Sequence, residues 1–225
     1  MIRICMGYDP VLALDHFIAQ ESIITTSSRP VFISPISLSN LKSELSRERD
    51  PLQSNDFAFS RWLTPYFCNY QGWAIFMDSD MVLVDDIAKL WDLRDDNYAV
   101  QTAKHDYTPK TDLKFLNRVQ TKYEKKNWSS VILFNNEKCT ALTPEYVNTA
   151  SGLDLHQFKW LENDGCIGEI PVRWNYLVGE YEKIELSEIS LLHYTIGTPI
   201  HREYEFCDYF EVWQSYYEKI SRKRY

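Results

Sequence analysis

Several common signatures are absent from this chain of 225 residues. No apolar run approaches the ~20 residues of a membrane-spanning helix. The N-terminus, Met1-Ile2-Arg3-Ile4-Cys5, has neither the apolar stretch nor the small-residue cleavage site of a signal peptide. The five cysteines contain no CxxC pair, and an odd count of this kind points to reduced thiols in a cytoplasmic setting rather than a disulfide frame. Positive charge is short: 24 Lys and Arg stand against 32 Asp and Glu, for a net charge of -8, so a broad basic face for nucleic acid is excluded. Glycine is scarce, with seven residues and no Gly-x-x-x-x-Gly-Lys loop, which weighs against a P-loop enzyme. There is no internal repeat and no composition break marking a second domain.

What is present is an ordinary globular balance, 44% hydrophobic and 25% charged, with an aromatic content of 15%. One domain, or one domain with an appendage, is expected. An acidic protein that binds a phosphorylated small molecule needs a local cation, and a metal is its natural supplier.

The segment Ile2 to Met6 reads as a buried strand, Val11 to Thr26 as a helix started by Pro10, and Val31-Phe32-Ile33 as a second strand, together a βαβ unit. Residues 39–56 read as a helix followed by a surface loop, and Phe59 to Tyr70 as one aromatic helix closed by Gly72. Trp73 to Met77 is a continuous apolar run, as in a strand buried on both faces, and apolar residues resume at Met81 to Val84. Asp85-Asp86 caps a short helix through Trp91. Further strands are expected at Tyr98 to Ala103, Val131 to Phe134 and Ile189 to Leu192. A polar helix or long loop is expected at Lys114 to Lys126, and helix in two pieces from Thr143. The tail from Tyr209 to Ile220 is amphipathic and ends on Arg222-Lys223-Arg224.

Chemistry can sit at the strand ends. Asp78-Ser79-Asp80 spaces two carboxylates by one residue, and both can face Mn²⁺ or Mg²⁺; the alternative is a solvated turn. His193, at the end of the last strand, is either structural or the imidazole that completes that site. The segment after it, through Gly197, can bring backbone N–H groups close to a phosphate. After the first strand, Gly7-Tyr8-Asp9 either holds a base, by Tyr8 stacking and Asp9 accepting, or is a plain turn with Asp9 as N-cap. Lys104-His105-Asp106 and Glu162-Asn163-Asp164-Gly165 either offer carboxylates to sugar hydroxyls or are capped surface turns, and Arg61 either reaches a diphosphate or pairs locally.

In order along the chain, Ser60-Arg61-Trp62-Leu63-Thr64-Pro65-Tyr66, Gly72 to Asp80, Lys104-His105-Asp106-Tyr107, Lys126-Asn127-Trp128-Ser129-Ser130-Val131, Ile167-Gly168-Glu169-Ile170-Pro171 with Trp174-Asn175, and His193-Tyr194-Thr195-Ile196-Gly197 form a set. That set resembles the GT-A-fold glycosyltransferases, near glycosyltransferase family 8 and the small family that includes a chlorella-virus glycosyltransferase domain. The resemblance implies an α/β, Rossmann-like fold with a mixed, mostly parallel central sheet flanked by helices over residues 1–208, with 209–225 a C-terminal amphipathic basic helix set against it. It implies Asp78, Asp80 and His193 as metal ligands. It implies Gly7, Tyr8, Asp9, Arg61, Asp78, Ser79, Lys104, Gly197 and His201 at the nucleotide and donor, Asp164 and Asp106 flanking the anomeric carbon, and Trp128, Ser129 and Ser130 at the acceptor. Two departures stand out. Family 8 usually has Asn-Ser/Ala-Gly-Val where this chain has Trp128-Ser129-Ser130-Val131. Its phosphate loop usually carries Lys and Trp, where this chain reads Gly197-Thr198-Pro199-Ile200-His201, so either His201 or Arg202 replaces the missing cation or the metal alone carries the charge.

The activity implied is metal-dependent transfer of a sugar from a nucleoside-diphosphate sugar, a UDP-sugar by preference, to a glycan or lipid-linked acceptor. Configuration is retained, through a carboxylate nucleophile or front-face attack. A catalytically degenerate nucleotide-sugar binder of the same fold is the alternative motivated by the altered loop, and a phosphotransferase or nucleotidyltransferase is a third. The location expected is cytoplasmic, the host's cytoplasm if the source is viral. The C-terminal helix either docks on its own domain or makes peripheral contact with an anionic membrane, and the chain can be one part of a longer polypeptide.

Overall fold

The computed structural model describes residues 1–50, 53–106, 113–114, 118–119 and 123–221, with the backbone alone at 113–114 and 118–119. The chain opens with β1 (Ile2–Tyr8), a 3₁₀ turn at Pro10–Leu12, α1 (Ala13–Thr26) and β2 (Val31–Ser37), and β2 lies parallel to β1 as the expected βαβ unit. Asp9 starts the turn by accepting from the Val11 backbone N–H at 2.9 Å, ahead of Pro10.

The described residues of the stretch 39–56 are not helical beyond a 3₁₀ turn at Leu38–Asn40. Tertiary contacts take its polar groups instead. Asn148 accepts from the backbone N–H of Ser46 and Arg47 at 2.8 and 3.1 Å and donates to the Glu44 carbonyl at 2.8 Å, while Arg47 lies 3.5 Å over the Phe59 ring.

The expected helix from Phe59 to Tyr70 is three short pieces: α2 (Phe57–Ser60), a 3₁₀ turn (Arg61–Leu63) and α3 (Thr64–Phe67). Pro65 has no N–H to give the Arg61 carbonyl, and the Thr64 hydroxyl donates to it instead at 2.8 Å.

The chain then runs through β3 (Trp73–Met77), β4 (Met81–Leu83), α4 (Ile87–Trp91, N-capped by Asp86) and β5 (Val100–Thr102). Where a polar helix or loop was expected at 114–126, the described residues form a small ribbon, β6 (Leu113–Lys114) against β7 (Arg118–Val119), and a turn at 124–127. Tyr107 lies outside the described residues. β8 (Val131–Asn135), α5 (Pro144–Thr149), α6 (Gly152–His156), β9 (Ile167–Glu169), β10 (Tyr176–Leu177), β11 (Leu191–His193) and α7 (Phe210–Ser221) complete the order.

The central sheet has six strands in the order β2-β1-β3-β8-β5-β9. Three of its neighbour pairs are parallel, and the pairs of β8 with β3 and β5 are antiparallel. Side chains alternate across it: Phe76, Ile132 and Phe134 enter one core with Trp62, Leu63 and Leu155, while Ile75, Met77, Val131 and Leu133 enter the other with Ala19, Ile23 and Leu90. A second sheet of three strands, β10-β11-β4, lies beside it. α7 lies against α1, with Trp213 and Tyr216 buried. The basic end 222–224 falls outside the described residues. Among the described residues no helix is long and apolar enough to cross a membrane.

Candidate active site

Asp78-Ser79-Asp80 is the link between the two sheets. Asp78 continues the central sheet, its backbone N–H donating to the Ser130 carbonyl at 3.0 Å, and the Asp80 carbonyl accepts from the Tyr194 N–H at 2.9 Å beyond the end of β11. His193 of β11 pairs in register with Met81 of β4. Both strands thereby deliver their polar ends to one point: a ligand atom from each of Asp78, Asp80 and His193 lies within 4.8 Å of the others, with His193 Nε2 3.5 Å from Asp80 Oδ1.

Two buried residues fix this cluster. Arg61 bonds Asp78 Oδ1 at 2.9 Å and also donates to the carbonyls of Ser129 and Phe57, at 2.8 and 3.2 Å. Its guanidinium sits 5.0 Å from the Phe76 ring. Arg61 thus pairs locally and also lines the adjoining pocket. Asn175 faces His193 Nδ1 at 2.8 Å through its side-chain oxygen, and its amide nitrogen donates to the Asn127 carbonyl at 3.0 Å. The oxygen must accept, so Nδ1 carries a proton and Nε2 is the ring nitrogen turned toward Asp80. Two carboxylates and an imidazole in this state are a donor set that fits Mn²⁺ or Mg²⁺.

The cluster forms one wall of a pocket of about 390 Å³. Arg61, Tyr123, Lys126, Asn127, Ser129 and Ser130 line it, as do Asp50, Gln53, Asn55, Leu153, His156 and Thr195. The Ser129 hydroxyl and His156 Nδ1 are 2.8 Å apart, and His156 stands edge-on to the fully buried Trp62 ring.

Other expected site residues lie elsewhere. Gly7 has the Phe57 ring against it, where a Cβ would sit 2.3 Å from Cγ, so its smallness serves core contact. Asp9 spends both carboxylate oxygens on backbone N–H groups, of Val11 and Asp56 at 2.9 and 3.0 Å, and Tyr8 meets the His16 ring edge-on at 5.2 Å. Gly197 makes room for Tyr204, whose ring a Cβ would meet at 2.2 Å. Ser79 is fully buried. Neither His201 nor any of these residues lines the pocket.

Trp128 is also outside the lining; its indole N–H donates to the His105 carbonyl at 3.0 Å, and Lys104 Nζ lies 5.8 Å from its ring. His105 bonds the Tyr181 hydroxyl at 2.6 Å, and burial, with His193 close by, pushes its imidazole down to about 3. The structure does not bring Asp164 or Asp106 to the pocket. Asp106 is exposed, and the Asp164 side chain is 76% exposed and paired with Lys125 at 2.5 Å. The turn around Asp164 is capped by Asn163, whose side chain accepts from the Gly165 N–H.

The sequence reading missed Asp50, Tyr123, His156 and the roles of Lys126, Asn127 and Asn175. Lys126-Asn127 and Asn175 stood in the recurring strings; the one local signal was Asn127, a residue type that tolerates the left-handed backbone (φ 63°) it adopts here.

A central sheet of this order, with an acidic turn and a histidine meeting at a pocket beside its strand ends, defines the GT-A class of glycosyltransferases. Residues 3–142 match the model of glycosyl transferase family 8. The chain belongs to that family and is a glycosyltransferase by membership. It is 42% identical to Protein CDI of Arabidopsis thaliana over 228 residues, covering 98% of this chain and 88% of that protein. In structure it is similar to the bifunctional glycosyltransferase WbbM, with TM-score 0.67 and 14% identity over 96% of this chain. It is also similar to the galactosyltransferase LgtC, solved with donor and acceptor sugar analogs, with TM-score 0.55 and 14% identity over 97% of this chain and 96% of that one. This chain spans 49% of the WbbM chain it matches.

Proposed function

We propose that this chain transfers a sugar from a nucleoside-diphosphate sugar, of which a UDP-sugar is the leading candidate, to a glycan or lipid-linked acceptor, with a divalent cation and with retention of configuration. The observation that carries the reading is the convergence of Asp78, Asp80 and His193 within 4.8 Å at one wall of the pocket. When bound there, Mn²⁺ or Mg²⁺ supplies positive charge that stabilises a departing diphosphate. The chain's own residues do the rest. Asp78 and Asp80 present hard oxygen ligands, and Arg61 holds the Asp78 carboxylate in place. Asn175 keeps the His193 proton on Nδ1. Ser129, Ser130 and His156, which also line the pocket, offer polar contacts to sugar hydroxyls. Among the described residues the lining contains, besides Asp78 and Asp80, one further carboxylate, Asp50, and front-face attack, which needs no protein nucleophile, agrees with this lining better than a nucleophilic Asp164 or Asp106 does.

The test is calorimetric titration of UDP, with GDP as control, with and without Mn²⁺, on the wild type and Asp80→Ala. UDP binding that requires both the metal and Asp80 is expected, and a donor-sugar screen then follows. Binding indifferent to metal, or none, overturns the reading.

A further inference from the structure

Away from the pocket, two cysteines meet between β1 and α3. Cys5 of β1 is 5% exposed and enters the core that holds Trp62, Leu63 and Phe76. Cys68 caps the C-terminal end of α3 and is half-buried. Its backbone N–H donates to the Thr64 carbonyl at 3.1 Å, so Thr64 and Cys68 share a face of α3. Both reach Cys5: the Thr64 side chain and the Cys68 thiol each hydrogen-bond the Cys5 thiol. Arg3, on the same face of β1 as Cys5, donates to the Trp73 and Gln71 carbonyls at 3.1 and 2.5 Å, and the Gln71 N–H donates to the Cys68 carbonyl at 3.0 Å. The Asn136 amide nitrogen donates to the same Gln71 carbonyl at 3.1 Å, and the Asn136 side chain also hydrogen-bonds the Cys68 thiol. β1, the end of α3 and the turn after β8 thus hold the two sulfurs together.

We propose that Cys5 and Cys68 are a peroxide-responsive thiol pair, in which Cys68 is oxidised first and Cys5 then closes a reversible disulfide to it. The pair is separate from the sugar-transfer site, since neither cysteine lines the pocket. Cys68 is the attacking sulfur on two grounds. It is the more exposed of the two. Hydrogen bonds from Cys5 and Asn136, with the charge of Arg3 nearby, also favour its thiolate: the bond from Cys5 contributes most, and together they bring the thiol from 9.0 down to about 7 against the effect of burial. The same thiol–thiol bond and burial raise Cys5, which keeps its proton. In the first step the Cys68 thiolate attacks one oxygen of hydrogen peroxide. The O–O bond breaks, and the departing hydroxide takes up the proton that Cys68 gave to solvent, leaving water and a Cys68 sulfenic acid. In the second step the Cys5 sulfur attacks the Cys68 sulfur, the S–O bond breaks, and the departing hydroxide takes the Cys5 proton as a second water. Two electrons pass from the sulfurs to the peroxide, so two thiols and one peroxide become one disulfide and two waters. Both cysteines are free in the structure, which is the reduced state of the pair.

The test treats the full chain with hydrogen peroxide, blocks the remaining thiols with iodoacetamide, and maps peptides by mass spectrometry without reductant. Two of the five thiols are expected to be lost, in a chain that stays monomeric on a non-reducing gel. They should appear as one peptide pair joined through Cys5 and Cys68, and dithiothreitol should restore both. Cys68→Ser is expected to slow oxidation of Cys5 on the order of 10-fold or more. Cys5→Ala is expected to leave Cys68 as a sulfenic acid that dimedone traps, where the wild type gives little adduct. Retention of all five thiols overturns the proposal. So does a disulfide from Cys68 to another cysteine or to a second chain, or a Cys68 sulfinic acid beside a Cys5 still reduced. A variant that does not fold leaves the wild type to decide, by its peptide map and by a second reading. The rate at which iodoacetamide alkylates Cys68 in the folded wild type should be half-maximal near pH 7, and a half-maximal rate near pH 9.0 overturns the proposal as well.

Discussion

Asn175 has one arrangement that satisfies both of its neighbours. It is fully buried, its nitrogen donates to the Asn127 carbonyl, and its oxygen is left to face His193 Nδ1. A leucine there keeps the volume but leaves the Nδ1 proton without an acceptor, which costs stability and frees the imidazole to rotate or change tautomer. An aspartate keeps the acceptor and loses only the donor to Asn127. Asn175→Leu is therefore expected to weaken Mn²⁺ binding on the order of 10- to 100-fold, and Asn175→Asp by clearly less. Manganese titration followed by electron paramagnetic resonance separates the two, and equal losses in both variants would show that the amide serves only to fill space.

The elements that carry the site depend on close approach between them, and two glycines measure it. At Gly7 in β1 an added Cβ would stand 2.3 Å from a ring atom of Phe57, which is fully buried in α2 and has nowhere to move. At Gly197 the intruded ring belongs to Tyr204, which is partly exposed and can swing outward. Gly7→Ala is expected to cost about 1–3 kcal/mol in urea unfolding and Gly197→Ala distinctly less; the reverse order would mean that β1 shifts more easily than the Tyr204 turn. The same elements account for what was legible in the sequence. β1, β3, β4 and β8 are apolar runs buried on both faces, and burial on that scale leaves a pattern in the residues themselves. Asp78, Asp80 and His193 were legible because they sit at the ends of such runs. Asn175 and Lys126 stand in the recurring strings, but nothing local marks what they contact. Asn175 acts through partners 18 and 48 positions away, and the burial of Lys126 comes from the fold around it. The helix expected at the start of 39–56 is missing because its polar residues give no sign that Asn148, about a hundred positions on, takes the backbone N–H groups of Ser46 and Arg47. At Asp9, Gly7 and Gly197 the sequence allows both a ligand role and a structural one, and the structure shows cap bonds at Asp9 and ring contacts at the two glycines.

At the scale of the whole molecule, the last helix is joined to the first and to the site. The Trp213 indole N–H of α7 donates to Asp15 of α1 at 3.1 Å, Tyr216 reaches the Leu83 carbonyl of β4 at 3.4 Å, and the Tyr194 hydroxyl, one residue beyond His193, donates to the Tyr209 carbonyl at 2.8 Å. Amphipathic character in 209–221 is thus used against α1 and β4. The junction has a titratable centre. Asp15 is 2% exposed, and burial, opposed by hydrogen bonds from Thr198 and Trp213 and reinforced by the nearby charge of Asp80, pushes its carboxyl up from 3.8 to about 7. A carboxyl whose pKa is raised on folding contributes stability that is complete below the unfolded value and is lost as pH climbs through the folded one. Here that window runs from about 4 to about 7, because over it the unfolded chain gives up a proton that the folded chain keeps. Asp15→Asn keeps an oxygen for the Trp213 indole and has no proton to lose. Its stability relative to wild type should therefore grow with pH across that window and level off above it, by at most about 4 kcal/mol at roughly 1.4 kcal/mol per pH unit. Urea midpoints of the two proteins at pH 5, 6, 7 and 8 read this directly, since the other titrating groups are common to both and cancel in the difference. A difference independent of pH would mean that Asp15 stays charged in the fold, and that the contact between α7 and α1 tolerates a buried carboxylate held by Trp213 and Thr198 alone.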